Sequence, residues 1–324
     1  MNRQSLLTDT HFEKGFRLNG LGAPIYGDPI ETFGDPYRTD AVFNYGGEAL
    51  GEPDWILSQW ATRYPFHDTG NTTHPGNCVF VRPGKGIFRY DNPSKQVTVV
   101  PARGELSLLL RASACYREPR RPGQEWPHLL VERSLGGSGH PPEANRLSSA
   151  QRLRVRLDVR LDSYEDRMGA AADPELHAII FIYYLFLAHF DEREQRYDDM
   201  LWFGLPLWDN RRAYTPLQSF PDEGTKGSAT GKWIYNNATT EFFGPENNLY
   251  TPEGGMVFGQ WRSVDLDVLP LARRALAEAQ ANGYMQSSRW ENLYVNGMYF
   301  GFEACGTYDA GVSVQNLDLI REEA

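Results

Sequence analysis

The sequence has few cysteines and no motif of a metal or cofactor site. Only Cys78, Cys115 and Cys305 occur among 324 residues, which is too few and too scattered for a disulfide framework. No cysteine or histidine pair has zinc-type spacing. The sequence therefore predicts no metal and no cofactor, and a structural calcium ion in the loops is an alternative that no motif supports. The odd number of thiols favours a reducing, cytoplasmic compartment over secretion with a signal peptide outside this sequence.

Positive charge and long apolar segments are also lacking. The net charge is -10, and the basic run at residues 117–121 is short and interrupted by Glu118 and Pro119. A nucleic-acid partner needs a concentrated basic face, so this class of partner is excluded. No segment approaches the roughly 18 apolar residues that cross a bilayer, which also excludes a membrane partner. The sequence leaves the oligomeric state open.

Turn-forming and aromatic residues are abundant instead. The chain contains 31 Gly and 21 Pro, and 13% of its residues are aromatic. Residues Arg152 to Leu161 alternate strictly between apolar and charged side chains, which is the period of a half-buried strand. Leu176 to Phe190 is apolar on both parities, as in a central strand covered on both faces. Leu269 to Ala281 is rich in helix formers, begins near Pro270 and stops at Asn282-Gly283.

These patterns predict an all-β protein, a two-sheet antiparallel jelly-roll sandwich with one peripheral helix at about 269–281. Further strands are expected at the positions that follow: 55–60, 77–81, 86–90, 96–100, 105–116, 127–133, 201–208, 232–236, 297–303 and 311–320. No change in composition divides the chain, so residues 1–324 are predicted to form one domain. Residues 1–50 lack periodicity and are expected to wrap it irregularly.

The C-terminal segment from Met298 to Leu319 resembles the closing strands of concanavalin A-like lectin and glucanase domains. A strand bearing Gly301 and Glu303 leads to a turn and then to a last strand that ends in Asn316-Leu317. The resemblance implies a jelly roll with a concave face that binds sugar. The Glu-x-Asp-x-x-Glu strand of laminarinase-like hydrolases and the Gln-Ile-His segment of alginate-lyase-like proteins are absent, so the family's catalytic residues are not carried over.

Two glutamates are candidates for catalysis. Glycoside hydrolysis uses two carboxyl groups, one as acid and one as nucleophile or base. Glu303 lies in an aromatic strand, where partial burial would favour its protonated form and an acid/base role. Glu132 is its predicted partner, ahead of Asp158 and Asp209, because alternation places it on one face with His128 and Leu130. Each glutamate could instead be a structural or solvated carboxylate.

Sugar-binding candidates lie in several strands. Trp202 and Trp208 are expected to share one face with Gly204 and Pro206, so that two indoles border a shallow trough beside polar groups. Core packing is the alternative for both tryptophans. The complete set of substrate-binding candidates is Trp202, Trp208, Asp209, Arg211, His177, His128, Arg156 and Asp158.

Three functions remain open from the sequence. The first is a glycoside hydrolase that acts on an oligo- or polysaccharide. The second is a lectin-like protein that binds a glycan without cleaving it. The third is a polysaccharide lyase, favoured by the arginines that surround Asp158 on one strand face, which would suit a uronate. A surface ion-pair ladder explains the same arginines without a ligand.

Overall fold

The computed structural model describes residues 2–19, 41–67, 76–116, 118–137, 139–223 and 230–323. Arg117 of the basic run, Ser138 and residues 20–40 of the wrapping segment lie outside these ranges. The described strands, in chain order, are β1 (Asn2–Ser5), β2 (Phe16–Asn19), β3 (Val42–Phe43), β4 (Trp55–Ser58), β5 (Val79–Gly84), β6 (Ile87–Asp91), β7 (Lys95–Val100), β8 (Glu105–Arg111), β9 (His128–Ser134), β10 (Arg152–Asp166), β11 (Ile179–Asp191), β12 (Arg196–Asp209), β13 (Gln218–Pro221), β14 (Trp233–Asn236), β15 (Arg262–Asp267), β16 (Leu293–Ala304) and β17 (Tyr308–Glu323).

The strands form two sheets. In the described residues, sheet A has the order β15-β10-β17-β8-β7-β6-β5, with β1 added beside β17. Sheet B has the order β13-β14-β12-β11-β16-β9-β4-β2-β3. Neighbouring strands are antiparallel apart from the β2–β4 and β12–β14 pairs, which are parallel. The chain is thus a jelly-roll β-sandwich, as the sequence predicts.

The core lies between the two sheets. The five apolar residues that alternate along β10, from Leu153 to Leu161, are all buried, and they join one cluster with inward residues of β11 such as Tyr183 and Leu185. The charged residues of β10 consequently face away from sheet B. Removal of this apolar surface from water, at about 25 cal/mol per Å², is the main force that holds the sheets together.

The predicted helix is present at the predicted bounds, as α2 (Leu269–Ala281). Its buried residues, among them Leu269 and Leu276, belong to the same cluster that fills the space between the sheets. Arg274 donates a hydrogen bond to the Tyr235 hydroxyl of β14 at 2.8 Å. The helix therefore closes one side of the core and does not lie across an outer face of the sandwich.

Two expectations differ from the structure. The strand predicted at 105–116 ends at Arg111 and continues as the one-turn helix α1 (Ala112–Cys115). Residues 1–50 are only partly irregular, because β1 extends sheet A while β2 and β3 extend sheet B. These three strands have at most four residues each, too few to show a period in the sequence. All three cysteines are free thiols.

Candidate active site

The outer face of sheet B carries both predicted catalytic glutamates. In β9, Leu129 and Val131 are buried in the core, so His128, Leu130 and Glu132 point outward. In β16, Phe300 and Phe302 are core residues, and the intervening Tyr299, Gly301 and Glu303 share the outer face. The alternation along two adjacent strands therefore places Glu132 and Glu303 on one surface.

The strand register sets the distance between the two glutamates. Glu303 lies directly opposite His128, whereas Glu132 lies opposite Tyr299. Tyr299 and Glu303 are four residues apart along β16, which corresponds to about 13 Å along the strand. Between them lies the Leu130–Gly301 pair. The two carboxyl groups thus flank a stretch of sheet where Gly301 contributes no side chain.

The backbone conformation at position 301 and its close neighbours require a glycine there. Its φ of +150° is rare for residues with a side chain, and a Cβ built there would lie 2.2 Å from the carbonyl oxygen of Leu129. The missing side chain leaves the surface open between Tyr299 and Glu303. The Tyr299 hydroxyl crosses this opening and donates a hydrogen bond to Oε1 of Glu303 at 3.0 Å. The glycine therefore allows the contact that holds the glutamate.

His128 completes the surroundings of Glu303. Its Nε2 lies 3.8 Å from Oε2 of the carboxyl group, and its Nδ1 is buried with no partner among the described residues. Burial lowers the pKa of His128, and the nearby Glu303 charge opposes that change. A neutral imidazole therefore faces the carboxyl group near neutral pH.

The carboxyl group of Glu132 is largely enclosed by its neighbours. Burial raises its pKa, while interactions with Ser58 and Trp60 of the neighbouring segment act in the opposite direction. A raised pKa means that this carboxyl group keeps its proton to a higher pH than an exposed glutamate does. Burial also raises the pKa of Tyr299 well above its usual value, so its hydroxyl stays protonated and available as a donor.

A cluster of four aromatic rings continues the same face. Tyr299 packs against Tyr184 at a centroid distance of 5.1 Å and against Phe186 at 5.7 Å, and Trp202 lies 4.8 Å from Phe186. We call Tyr184, Phe186, Trp202 and Tyr299 the aromatic cluster. It borders Glu132 on the β16 side of β9, and its member Tyr299 also contacts Glu303. Sugar rings present apolar C–H faces that pack on rings of this kind.

Polar groups fix two members of this cluster. The Tyr184 hydroxyl donates a hydrogen bond to Oδ1 of Asn236 at 2.7 Å, and Nε1 of Trp202 donates one to the Thr230 hydroxyl at 3.2 Å. Gly204 lies between them, and a Cβ there would lie 2.1 Å from the Asn236 amide oxygen. The glycine thus makes room for the amide that orients Tyr184.

Trp208 is not part of this face, and the expectation that it shares a face with Trp202 is wrong. A bulge between Phe181 and Ile182 shifts the register of β11 and β12, so that Trp208 pairs with the core residue Phe181. Trp208 is 2% exposed and packs edge-on against Tyr164 of sheet A at 5.5 Å. One extra residue in the ladder moves every following side chain to the opposite face.

Asp209, Arg211 and His177 are engaged in contacts within the protein. The Asp209 carboxylate accepts two hydrogen bonds from the Arg211 guanidinium, at 2.9 and 2.7 Å, and Asp209 is buried. His177 is also buried, with Nδ1 accepting from the Asp173 amide at 3.0 Å and Nε2 lying 2.8 Å from the Arg120 carbonyl oxygen. Asp209 nevertheless lies on the outer face of sheet B, in the same cross-strand row as Glu303, because it pairs with Ile180 and Ile180 pairs with Glu303. Arg211 and His177 lie just outside the ends of β12 and β11.

Arg156 and Asp158 lie on the outer face of sheet A, on the far side of the sandwich. The carboxylate of Asp158 accepts hydrogen bonds from Ser263 at 2.6 Å and Asn316 at 2.6 Å. Its neighbour Arg154 pairs with Asp265 at 2.7 Å. These contacts are those of a surface ladder, and the face predicted to bind a uronate is separated from the glutamates by the whole core.

Of the ten predicted site residues, the structure therefore brings together Glu303, Glu132, His128 and Trp202 on this face, and places the buried Asp209 in the same cross-strand row as Glu303. Sequence reasoning missed Tyr184, Phe186 and Asn236, which complete the face. Tyr184 and Phe186 lie in the strand that is apolar on both parities, so alternation could not separate outer from inner side chains there. Asn236 ends β14, and nothing in its local sequence shows the parallel pairing that brings it to Gly204.

The described part of the chain contains no cluster of metal-ligating side chains and no membrane-spanning helix. No group of three or more His, Cys, Asp or Glu side chains there could hold a metal ion. No described helix is long and apolar enough to span a membrane.

Comparison with known proteins gave structural neighbours only. No family model and no curated protein matched the sequence. A thermostable cellulase derived from that of Rhodothermus marinus has a TM-score of 0.37 and 12% identity, covering 74% of this chain and 98% of its own. The family 11 xylanase of Neocallimastix patriciarum has a TM-score of 0.35 and 11% identity, with 75% and 95% covered. A family 12 xyloglucanase of Bacillus licheniformis has a TM-score of 0.34 and 11% identity, with 76% and 97% covered.

These neighbours are concanavalin A-like jelly-roll glycosidases. Their TM-scores lie below 0.5, so the likeness carries no inference about the activity of this chain.

Proposed function

We propose that this protein is a glycoside hydrolase that acts on an oligo- or polysaccharide at the outer face of sheet B. The observation that supports this proposal is the pair Glu132 and Glu303 on one face, on adjacent strands, beside the aromatic cluster. Two carboxyl groups on one surface supply the acid and the base that hydrolysis of a glycosidic bond requires.

The environments of the two glutamates suggest different roles. Burial raises the pKa of Glu132, which suits a general acid that must carry a proton before it meets the leaving oxygen. Glu303 accepts the hydrogen bond of Tyr299, an arrangement that suits a base or a nucleophile. We therefore assign the acid role to Glu132, whereas the sequence favours Glu303 for it.

The stereochemical outcome depends on the distance between the two carboxyl groups. The backbone positions of the glutamates are about 13 Å apart along the strands. Carboxyl groups about 6.5–9.5 Å apart leave room for a water molecule and invert the anomeric carbon, whereas retaining enzymes hold them at about 5–5.5 Å.

The aromatic cluster would position the sugar chain. Indole and phenol rings pack on the C–H faces of pyranose rings, and Asn236 and Thr230 lie at its edge with groups able to bond hydroxyls. The arginines of β10 lie on sheet A, so they are not available to neutralise a uronate beside Glu303. This placement disfavours the lyase alternative.

A lectin-like protein is the second candidate. The Glu303 carboxyl group contacts Tyr299 at 3.0 Å and His128 at 3.8 Å, and neither is a second carboxyl group. A face of this kind could bind a glycan without cleaving it.

One set of assays separates the three functions. The purified protein is incubated with neutral glucans, xylan, mannan and polygalacturonate, and new reducing ends, absorbance of unsaturated products and binding are measured. New reducing ends without unsaturated products are expected, and NMR of the anomer released first distinguishes inversion from retention. Binding without cleavage would support the lectin-like function, and unsaturated products would replace hydrolysis by elimination. If the protein neither binds nor cleaves any of these glycans, the proposal is refuted.

A further inference from the structure

Two neutral side chains on the outer face of sheet B contact the carboxyl group of Glu132. The Ser58 hydroxyl and the Trp60 indole N–H both form hydrogen bonds with this group. The indole N–H can only donate, so a carboxyl oxygen accepts its hydrogen. Neither side chain carries a charge, whereas carboxylates on sheet A such as Asp265 pair with arginines. Neutral donors hold the carboxyl group without supplying a cation that would strongly favour its ionised form.

The pairing of β4 with β9 places both contacts beside Glu132. Ser58 lies directly opposite Leu130, two residues before Glu132 along β9. Trp60 follows β4, and its carbonyl oxygen accepts a hydrogen bond from the His128 amide at 2.9 Å. Its partly buried ring packs against the group of outer-face residues that includes Leu130. The indole therefore starts opposite His128 and reaches back across Leu130 to the glutamate.

The segment that carries Trp60 is anchored to both sheets. Gln59 is fully buried, and its amide donates a hydrogen bond to the carbonyl oxygen of Asn19 in β2 at 3.0 Å. Lys95 of β7 is also fully buried, and its Nζ donates a hydrogen bond to the Thr62 hydroxyl at 2.6 Å. Contacts with sheet B and sheet A therefore fix this segment, as the support of a preorganised site requires.

A general acid is effective only when its proton points at the leaving oxygen. Because the indole N–H bonds to one carboxyl oxygen, it favours the other oxygen as the position of the Glu132 proton. We propose that Ser58 and Trp60 are positioning residues that fix the direction in which Glu132 presents its proton to the substrate. This proposal rests on the proposed glycoside hydrolase function and identifies what orients its acid.

The first test measures the proton affinity of Glu132 by NMR titration of the full chain with isotope-labelled glutamate, its signal being the one lost in Glu132→Gln. Trp60→Phe keeps an aromatic ring and removes the N–H, and Ser58→Ala removes the hydroxyl. Both donors stabilise the ionised carboxylate, so each variant should raise the pKa of Glu132, a gain of about threefold to tenfold in proton affinity. Trp261→Phe, beside Arg160 on sheet A, is the matched control and should leave the titration unchanged.

The second test measures turnover against pH on a glycan that the wild type cleaves. The basic limb of the kcat/KM profile follows ionisation of the acid, so it should move to higher pH in Trp60→Phe and in Ser58→Ala. At the acidic end, where Glu132 is protonated in every variant, kcat should fall by about threefold to tenfold because the proton is less well directed. KM should stay nearly constant.

The outcomes distinguish this role from the proposed function. A Glu132 titration and a basic limb that stay in place in both variants would overturn the positioning role, even if the variants are less stable, because a purely structural residue changes stability alone. If one variant does not fold, the titration of the other decides. A wild type that cleaves no glycan would refute the proposed function and the role in proton transfer together, whereas a shifted titration would still establish the two contacts.

Discussion

The two outer faces of the sandwich are built by the same strand alternation but differ in the surroundings of their carboxyl groups. On sheet A, carboxylates and arginines pair: Arg154 contacts Asp265 and Glu322, and Asp158 accepts bonds from several neighbours. On sheet B, Glu132 and Glu303 lie instead beside a cluster of aromatic rings, one of which donates a hydrogen bond to Glu303. Charge alone therefore does not indicate a site.

The largest expected effect separates the two faces of a single strand. Trp208→Ala should lower the free energy of unfolding by about 3–5 kcal/mol, because it leaves a cavity in the core beside Tyr164. Trp202→Ala, on the outer face of β12, should instead weaken glycan binding by about 1–3 kcal/mol, with a smaller loss of stability. Chemical denaturation and calorimetry measure the two effects. Equal losses of stability would remove the distinction between the faces.

Matched carboxylates on opposite faces give the next test. Glu303→Gln keeps the shape of the side chain and removes its proton exchange, so turnover should fall by at least about a hundredfold. Asp158→Asn makes the equivalent change on sheet A and should leave turnover unaltered. Initial rates of reducing-end release are measured with both proteins shown to be folded by circular dichroism. Full activity in Glu303→Gln would make this glutamate structural.

The raised pKa of Glu132 predicts a pH-dependent stability. Above the ordinary glutamate pKa of 4.5, the folded protein holds a proton that the unfolded chain has released, so this group's contribution to stability is lost as pH rises through the folded pKa. Glu132→Gln cannot ionise and should become progressively more stable than the wild type as pH rises from about 4 toward neutrality. Melting temperatures across this range measure the difference. A difference that stays constant with pH would contradict the assignment.

The smallest effect is expected on sheet A. Arg154→Ala removes a partly exposed ion pair, so its cost should be below about 1 kcal/mol and should shrink at high salt. Glycan binding and turnover should not change. An effect on affinity or rate would show that the arginine face also contacts substrate and would revive the uronate hypothesis.

The accuracy of sequence reasoning varied with the strength of the local pattern. The strict alternation of β10 and the capped, Ala-rich helix α2 were both predicted at nearly their observed starting points. Alternation also placed His128 and Glu132 correctly on one face. It failed at Trp208, because the bulge in β11 and β12 is set by packing and leaves no mark in the sequence. The short strands β1 to β3 were missed because they carry too few residues to show a period.

The sequence by itself determined the class of fold, the helix and the outward direction of Glu132 and Glu303 within their own strands, because these follow from local periodicity and propensity. Only the tertiary structure decided that β9 and β16 are neighbours, that Tyr299 reaches Glu303 and that Asn19 lies beside Ser58. Those contacts join segments far apart in the chain, and they depend on strand order and register. Register is fixed by the burial of one face of each whole strand, which no single segment specifies.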